Sequence, residues 1–352
     1  NYIENHEEIQ YKEKYIEGKD KEYLDLLSVF GIEYSQVIYQ SENVRFHTAM
    51  ALQLMHEKKA FSCFCSDNWL EKKHQEAKIA NKPYKYDDAC RNLPDELVLD
   101  NTNPFSIRLK KPDKATTLDS FIIMNQDKTS TNDFACAVDD MLSDISFIVR
   151  NEELTSNTTK QIHIRNSLSY DKQIKYIHLA NISNTSNITS VKGLLEEGFL
   201  PEAISNYLIS MENKPPQEIF NIEDSIKWLE LEKISSSPTL FDINTLKHIN
   251  REHLKNLENK ELSRYVGFAD EEIGKLAKVY LTEVSTTKEL KSKIELIFSD
   301  KNIPEEFRES SKIIIEIIKN APYFNEYDDF NHILCKNQSL KKKCFPKSLG
   351  IY

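Results

Sequence analysis

One stretch of the chain, Asn132–Arg165, limits the fold more than any other, because it joins apolar runs to a group of polar, ligand-type residues. Phe134–Val138 and Ile145–Val149 are apolar runs of strand length, separated by an acidic helical turn. Arg150 follows the second run, and a loop rich in Ser, Thr and Asn then leads into a helical pattern. Open α/β sheets place ligand-binding groups at the carboxyl ends of their strands. The stretch therefore predicts part of such a sheet, with a binding site at Arg150.

The composition favours a helix-rich protein that does not associate with membranes. The chain has 352 residues, enough for two or three domains, with only 7 Gly and 29% charged residues. No apolar run approaches the roughly 20 residues of a membrane helix, and we identify no secretory leader. The six cysteines lack the spacing of a disulfide scaffold, which indicates a reducing cytoplasm. The net charge of −10 argues against non-specific nucleic-acid binding but leaves room for a local basic face.

Several collinear segments carry a family resemblance, namely FACAVDDML, IVRNEEL, SNTTKQIHIR and SVKGLLEEGFLPEAI. Together they resemble the bacterial glutamyl-tRNA synthetases, which are class I aminoacyl-tRNA synthetases. The resemblance implies an α/β plus all-α fold: an incomplete Rossmann-like catalytic domain with an inserted acceptor-binding module, followed by a helical anticodon-binding region. It divides the chain into a remnant of the first catalytic half (1–60), the inserted module (61–121), the second catalytic half (122–180), a stem-contact region (181–240) and a truncated helical anticodon-binding region (241–352).

The first sixty residues predict two helices and lack two family motifs. Apolar positions at helical spacing follow Lys19, and Gly31 ends that helix; a short strand and a second amphipathic helix, over Arg45–Lys58, are also predicted. The resembled family carries H-I-G-H and E-D-T-D motifs upstream. This chain has no residues for the first motif and has EEIQY, Glu7–Tyr11, in place of the second. We expect the first 15 residues to be a disordered end.

Arg150 is the main candidate for binding a substrate carboxylate. A guanidinium at a strand end can hold a carboxylate with two parallel hydrogen bonds, and its charge does not titrate away. The resemblance implies that this carboxylate belongs to glutamate, and that the companion positions, Tyr and Asn in the family, are Asn132 and Cys136. The alternative is a structural Arg150 that pairs with Glu152 or Glu153.

The helix start after Arg150 is the candidate contact for the tRNA acceptor end. The positions that match the family's S-N-T-x-K-Q pattern are Ser156, Asn157, Lys160 and Gln161. Ser and Asn at a helix start are also ordinary capping residues, which is the alternative explanation.

Three cysteines have spacing that suits a zinc site. Cys63 and Cys65 form a Cys-x-Cys pair, and Cys90 follows after a 24-residue gap. The family module uses a fourth ligand two residues after the last cysteine, where this chain has Asn92; His74 is the other candidate. The alternative is three buried thiols without a metal.

The second class I signature, a mobile K-M-S-K-R loop, should precede Ser190. Counting back from SVKGLLEEGFLPEAI places its M-S-K-R positions at Ile182, Ser183, Asn184 and Thr185, so both cations are replaced. Those cations neutralise the charge that builds on the ATP phosphates when the carboxylate attacks the α-phosphorus. The resemblance implies ATP and Mg as cofactors, and the altered loop predicts a chain that is inactive or very weak.

The function implied by the resemblance is attachment of glutamate to tRNA, of the glutamate or the glutamine type, through a glutamyl-adenylate. Two alternatives stay open: a non-catalytic paralogue that binds tRNA or a protein partner, and a decayed gene product without function. We expect a monomer.

Overall fold

The computed structural model describes residues 18–112, 118–183, 190–234, 238–299 and 304–320. The helices, numbered here in chain order, are α1 Lys19–Val29, α2 Val44–His56, α3 Asp67–Ile79, α4 Asp95–Leu99, α5 Asn132–Leu142, α6 Thr155–Ser167, α7 Val191–Glu196, α8 Pro201–Glu212, α9 Ile222–Ser225, α10 Ile243–Asn256, α11 Asn259–Tyr265, α12 Glu271–Tyr280, α13 Thr287–Phe298 and α14 Arg308–Asn320. The strands are β1 Ala60–Cys63, β2 Ser106–Leu109, β3 Phe121–Met124, β4 Phe147–Asn151, β5 Lys175–Leu179, β6 Ile182–Ser183 and β7 Thr239–Leu240. None of the helices in these ranges has the length and apolarity needed to cross a lipid bilayer.

Two compact units make up the chain. One comprises Asn1–Thr189 with Ser205–Ile243, and the other comprises Ser190–Ile204 with Asn244–Tyr352. The five segments expected from the sequence are finer than these units and stay predictions. The first 15 residues, including EEIQY, lie outside the described residues.

The first unit contains an antiparallel sheet in the order β1-β2-β3. In the β1–β2 pair, Phe61 lies opposite Arg108 and Cys63 lies opposite Ser106. Buried apolar side chains of α2, the three strands, α5 and α6 form one core against this sheet, including Leu54, Ile107, Leu109, Ile123, Phe134, Val138 and Ile164. The core therefore ties the segments before and after the 61–121 stretch to the same sheet.

The two helices predicted near the amino end are confirmed. The first begins at Lys19, and Gly31 lies just beyond its end with a φ of +65°, the left-handed conformation that glycine adopts without strain. The second, α2, is amphipathic and buries His47, Ala51 and Leu54. The short strand predicted before this helix, at residues 37–40, was wrong: residues 37–39 have no regular structure and a 3₁₀ turn begins at Gln40, whereas the strand β1 follows α2.

The apolar run Phe134–Val138 is helical, so its prediction as a strand was wrong. It lies within α5, where Phe134, Ala137 and Val138 occupy positions i, i+3 and i+4 on the buried face. A five-residue apolar run does not reveal its own period, because a buried helix turn and a buried strand look alike over that length. Tertiary packing of one helix face against the core decided the outcome.

The second apolar run forms a strand, although its bounds are shifted. It gives β4, so Arg150 lies within the strand and not after it. Strands β4 and β5 are parallel, with Arg150 opposite His178 and Asn151 opposite Leu179. Helix α6 is the crossover between them, as parallel pairing requires. This β4–α6–β5 unit brings the carboxyl ends of two strands next to the first turns of α6.

The second unit is helical, as predicted, in its described parts. Its buried Asn250 joins three segments: the side-chain Oδ1 accepts from Leu200 N at 2.7 Å, and Nδ2 donates to the Ser285 carbonyl at 2.6 Å. A reciprocal capping box between Thr286 and Glu289 starts α13.

Candidate carboxylate site and cysteine cluster

Arg150 is held at the end of β4 by residues of α6 and β5. Its Nη1 donates to Gln161 Oε1 at 2.9 Å, and its Nη2 donates to the Thr158 hydroxyl. The guanidinium lies over the Tyr176 ring, 4.9 Å from its centroid. Within the described residues, the buried Arg150 Nε has no hydrogen-bond partner.

The alternative partners of Arg150, Glu152 and Glu153, are bonded elsewhere. Glu152 Oε1 accepts from the Asn181 backbone N–H at 3.2 Å, and Glu153 Oε1 accepts from Asn181 Nδ2 at 3.1 Å. Arg150 thus keeps N–H groups beyond the two that bind Gln161 and Thr158, since a guanidinium carries five.

His178, the register partner of Arg150, completes the strand-end arrangement. Its Nε2 lies 3.0 Å from the Thr158 hydroxyl, so that hydroxyl contacts both residues. Burial, and to a smaller extent the nearby charge of Arg150, lower the pKa of His178 and so favour the neutral imidazole. The positive charge at this strand end is therefore carried by the guanidinium.

A polar network links Arg150 to α5. Gln161 is buried, and its Nε2 donates to Asp133 Oδ1 at 3.3 Å while its Oε1 binds Arg150. Lys160 Nζ lies 3.6 Å from the other carboxylate oxygen of Asp133. Burial raises the pKa of Asp133, and the charge of Lys160 opposes that rise. Asp133 was not predicted as a site residue. Its position as an acidic residue directly before a buried apolar run was the signal that could have identified it.

Asn132 and Cys136 lie one turn apart on α5. The Cys136 thiol donates to Asn132 Oδ1 at 3.5 Å, and Gln40 Nε2 donates to the Cys136 sulfur at 3.7 Å. Next to them, Asp139 Oδ1 lies 2.9 Å from Nε2 of the fully buried His47, which ties α2 to α5. Asp139 and His47 were not singled out from the sequence, because their pairing depends on how the two helices pack.

The four candidate acceptor-binding residues lie inside α6 and do not cap it. The helix begins at Thr155 without a side-chain cap, so the capping explanation for Ser156 and Asn157 was wrong. Ser156 Oγ donates to Asn157 Oδ1 at 3.1 Å, and Asn157 is buried. Lys160 is about one quarter exposed at its side chain (25%), whereas Gln161 is buried against Arg150.

The three cysteines predicted as metal ligands are brought together. Cys63 is buried at the end of β1, Cys65 follows it, and Cys90 lies in a turn; their sulfur atoms all lie within 4.8 Å of one another. The Cys65 and Cys90 sulfurs are 3.7 Å apart. His74 lies outside this group and packs against the Tyr84 ring, with centroids 3.8 Å apart.

Two residues that sequence reasoning missed face this cysteine cluster. Tyr86 Oη lies 3.4 Å from the Cys63 sulfur and 3.5 Å from the Cys65 sulfur, and it accepts from the Cys90 N–H at 3.2 Å. The fully buried Arg108 donates from Nε to the Cys63 sulfur at 3.3 Å.

The cluster favours a thiolate at Cys63. A hydrogen bond from Cys65 and the charge of Arg108 lower the pKa of Cys63 to about 4, against the opposing effect of burial. The same hydrogen bond raises the pKa of Cys65, and burial raises it further. Thiolates are the soft ligands that zinc prefers, so the donor set fits that ion.

The described part of the signature-loop remnant is a short strand. Ile182 and Ser183 are exposed in β6, where they pair with Thr239 and Leu240 of β7. Asn184 and Thr185 lie outside the described residues.

The sequence matches a family model for the catalytic domain of class I tRNA synthetases of the glutamate and glutamine type, over residues 11–248. Together with the β4–α6–β5 unit, this match defines the class of protein as a class I tRNA synthetase. A glutamate–tRNA ligase 2 of Sulfurimonas denitrificans is 56% identical over 97% of this chain and 84% of that protein. A glutamate–tRNA ligase 1 of Nitratiruptor is 43% identical over 96% of this chain and 84% of that protein. The chain belongs to the glutamate–tRNA ligase family.

Solved structures agree on the fold. A glutamate tRNA ligase from Elizabethkingia meningosepticum, crystallised with its amino acid, matches 92% of this chain and 81% of its own, with a TM-score of 0.76 and 19% identity. A glutamate-tRNA synthetase from Elizabethkingia anophelis gives a TM-score of 0.75 at 18% identity, over 94% of this chain and 82% of its own. The predicted fold class, a class I synthetase catalytic fold of α/β type with additional helices, is confirmed.

Proposed function

We propose that this chain binds glutamate and the acceptor end of tRNA, and that it joins them at a very low rate through a glutamyl-adenylate made with ATP and Mg. Family membership supports the substrates and ATP. The observation that carries the glutamate site is Arg150, a guanidinium fixed at a strand end with unused N–H groups. Free glutamate carries carboxylates that such a group binds well.

In this proposal Arg150 binds a carboxylate and Gln161 keeps Arg150 in place. The bonds to Gln161 and Thr158 fix the guanidinium before substrate arrives, which lowers the ordering cost of binding. Asn132 and Cys136, one turn apart on α5, are proposed to line the same site. The sequence predicts tRNA contacts for four residues of α6, namely Ser156, Asn157, Lys160 and Gln161. We propose this role for Lys160 and Ser156, because their side chains are partly accessible.

The low rate follows from the signature loop. Its last positions, Ile182, Ser183, Asn184 and Thr185, supply no cation to the ATP phosphates. Losing one preorganised charge-stabilising group typically costs roughly 10²–10³ in rate. The same observation favours a second candidate function, a paralogue that binds tRNA without charging it.

One experiment separates the two functions. ATP–pyrophosphate exchange is measured with the full chain, glutamate and tRNA, while tRNA binding is followed by gel shift at several salt concentrations. Slow exchange above a glutamate-free control supports the ligase. Salt-sensitive tRNA binding without exchange supports the non-catalytic paralogue, because phosphate contacts weaken as salt rises. If neither is observed, both proposals fail and the decayed gene product remains.

The cysteine cluster is proposed to hold one zinc ion through the thiolates of Cys63, Cys65 and Cys90. Their sulfurs lie close enough together to share one ion, and the Tyr86 hydroxyl is the nearest candidate for the fourth position. Zinc would fix the turn that carries Cys90 against β1 and so stabilise the fold of this segment.

Metal analysis of the purified full chain tests the zinc proposal. We expect about one zinc per chain, lost in Cys90→Ser. Cys136→Ser is the matched control, because Cys136 is a free cysteine outside the cluster and its loss should leave zinc unchanged. A wild-type chain without zinc would exclude the site. The monomer expected from the sequence, and a cytoplasmic location that suits free thiols and tRNA, remain proposals.

A further inference from the structure

We infer that Arg108 is a positioning residue for the cysteine cluster: it supplies the positive charge that makes a partly buried zinc–thiolate centre electrically neutral. The inference rests on the proposed zinc site. It assigns a role to a residue that is not of a metal-ligand type and that lies 45 positions from Cys63 in the sequence.

Strand pairing places Arg108 on the same side of the sheet as Cys63. Arg108 lies directly opposite Phe61, and Cys63 is two residues beyond Phe61 on β1. Because side chains alternate along a strand, Phe61 and Cys63 share one face, and Arg108 is the diagonal neighbour of Cys63 across the pair. The Nε–sulfur distance of 3.3 Å follows from this register.

Further contacts hold the guanidinium at the cluster. Its Nη1 donates to the Ser120 carbonyl at 3.0 Å, and its carbon lies 3.8 Å from the centroid of the Tyr86 ring. Tyr86 in turn directs its hydroxyl at the Cys63 and Cys65 sulfurs. Arg108 therefore supports both a thiolate and the hydroxyl proposed for the fourth position.

The charge of Arg108 compensates the negative charge of the proposed zinc–thiolate centre. Three thiolates and one Zn²⁺ carry a net charge of −1, and Arg108, which is fully buried and always protonated, brings the sum to zero. Burying an uncompensated charge is costly, whereas a paired and hydrogen-bonded charge is tolerated. A hydrogen bond to a ligand sulfur also orients that ligand, as groups around metal sites commonly do.

The test compares zinc affinity in the full-length wild type, Arg108→Met and Arg108→Lys, by competition with a chromophoric chelator. We expect Arg108→Met to bind zinc roughly 10–100-fold more weakly, the usual effect of losing a group that supports a metal ligand. Arg108→Lys keeps the charge and should recover part of that loss. Lys85→Met is the control, because it removes an exposed cation beside Tyr86 and should leave affinity unchanged.

A spectroscopic readout separates this role from a general loss of packing. Co²⁺ in place of zinc gives a sulfur-to-metal charge-transfer band, which should move to longer wavelength in Arg108→Met because the Cys63 sulfur loses a hydrogen-bond donor. If Arg108→Met does not fold, Arg108→Gln is measured instead. Its amide nitrogen falls near the position of Arg108 Nε, so this variant removes the charge while it keeps a hydrogen-bond donor, and the expected result is the weaker zinc affinity.

The outcomes distinguish the inference from the zinc proposal. Wild-type zinc affinity and an unshifted Co²⁺ band in a folded Arg108→Met or Arg108→Gln chain would overturn the inference and leave the zinc site standing. A wild type that binds no zinc would overturn both. Weakening by the neutral variants, with partial recovery by lysine, supports both.

Discussion

Gln161 joins Arg150 to the interior of the first unit: its Oε1 accepts from Arg150 Nη1 at 2.9 Å, and its Nε2 donates to Asp133 at 3.3 Å. One buried amide thus connects the end of β4 with α5. The direction in which the guanidinium points depends on that amide, and the proposed glutamate site depends on the guanidinium.

We predict that Gln161→Leu weakens glutamate binding about tenfold. The variant keeps a similar volume but removes the hydrogen bonds that Gln161 makes to Asp133 Oδ1 and to one Arg150 N–H, which also costs about 1–3 kcal/mol of unfolding free energy. Glutamate titration by calorimetry and urea unfolding measure the two effects. Thr159→Ala, an exposed change on the same helix, should alter neither. Unchanged glutamate affinity in a folded Gln161→Leu chain would contradict the role given to Gln161.

Arg150→Lys should weaken glutamate binding by roughly 10–100-fold although the charge is kept. Lysine cannot donate two parallel hydrogen bonds to a carboxylate, and a charge-assisted bond is worth about 1.5–3 kcal/mol. Equilibrium dialysis with labelled glutamate gives the affinity. Arg45→Lys, an exposed substitution of the same kind, is the control and should bind as the wild type does. If both variants bind equally well, the carboxylate is held elsewhere.

The raised pKa of Asp133 predicts a pH-dependent stability. Because burial raises the pKa of Asp133 in the folded chain, folding takes up a proton between the ordinary carboxyl pKa of about 4 and the raised value. The stability contribution of Asp133 therefore falls as the pH rises through that window. Asp133→Asn removes this dependence, so its stability relative to the wild type should increase from pH 4.5 to pH 7.

Urea unfolding at several pH values checks the Asp133 prediction. Exposed Asp171→Asn is the matched control and should track the wild type across the range. If the free energy of unfolding of Asp133→Asn differs from that of the wild type by the same amount at every pH, the prediction is wrong.

Restoring the loop cations should raise adenylate formation. The double variant Asn184→Lys, Thr185→Arg places two positive charges where the resembled family has them. We expect the rate of ATP–pyrophosphate exchange to increase by a factor on the order of 10². A preorganised positive charge next to phosphate oxygens that gain negative charge in the transition state has effects of that size. Asn187→Lys, which adds a cation at another position of the same segment, should have little effect. No gain in the double variant would mean that the loop is not what limits turnover.

The cysteine cluster shows what residue spacing can and cannot predict. A Cys-x-Cys pair and a distant cysteine were enough to single out Cys63, Cys65 and Cys90, because metal-ligand residue types are few. Tyr86 and Arg108 could not be found this way. Their contacts depend on the β1–β2 register and on a turn, which the local pattern does not contain.

In the Arg150 region, too, the sequence predicts the site residue but not the contacts that depend on packing. Arg150 was predicted as a site residue from its position after an apolar run, and the family and fold class were predicted correctly from the collinear segments. The hydrogen bonds of Arg150 to Thr158 and Gln161 were not predicted, because they depend on how α6 packs against β4. Phe134–Val138 was misassigned for a related reason: a short apolar run is compatible with either a helix or a strand until tertiary packing selects one.

The most direct test of the account is attachment of labelled glutamate to tRNA under single-turnover conditions, with the full chain in excess over tRNA and with ATP and Mg. We predict slow charging that requires Arg150, so that Arg150→Ala abolishes it while Arg45→Ala does not. Charging that is independent of Arg150, or a complete absence of charging in both the wild type and the Asn184→Lys, Thr185→Arg variant, would contradict it.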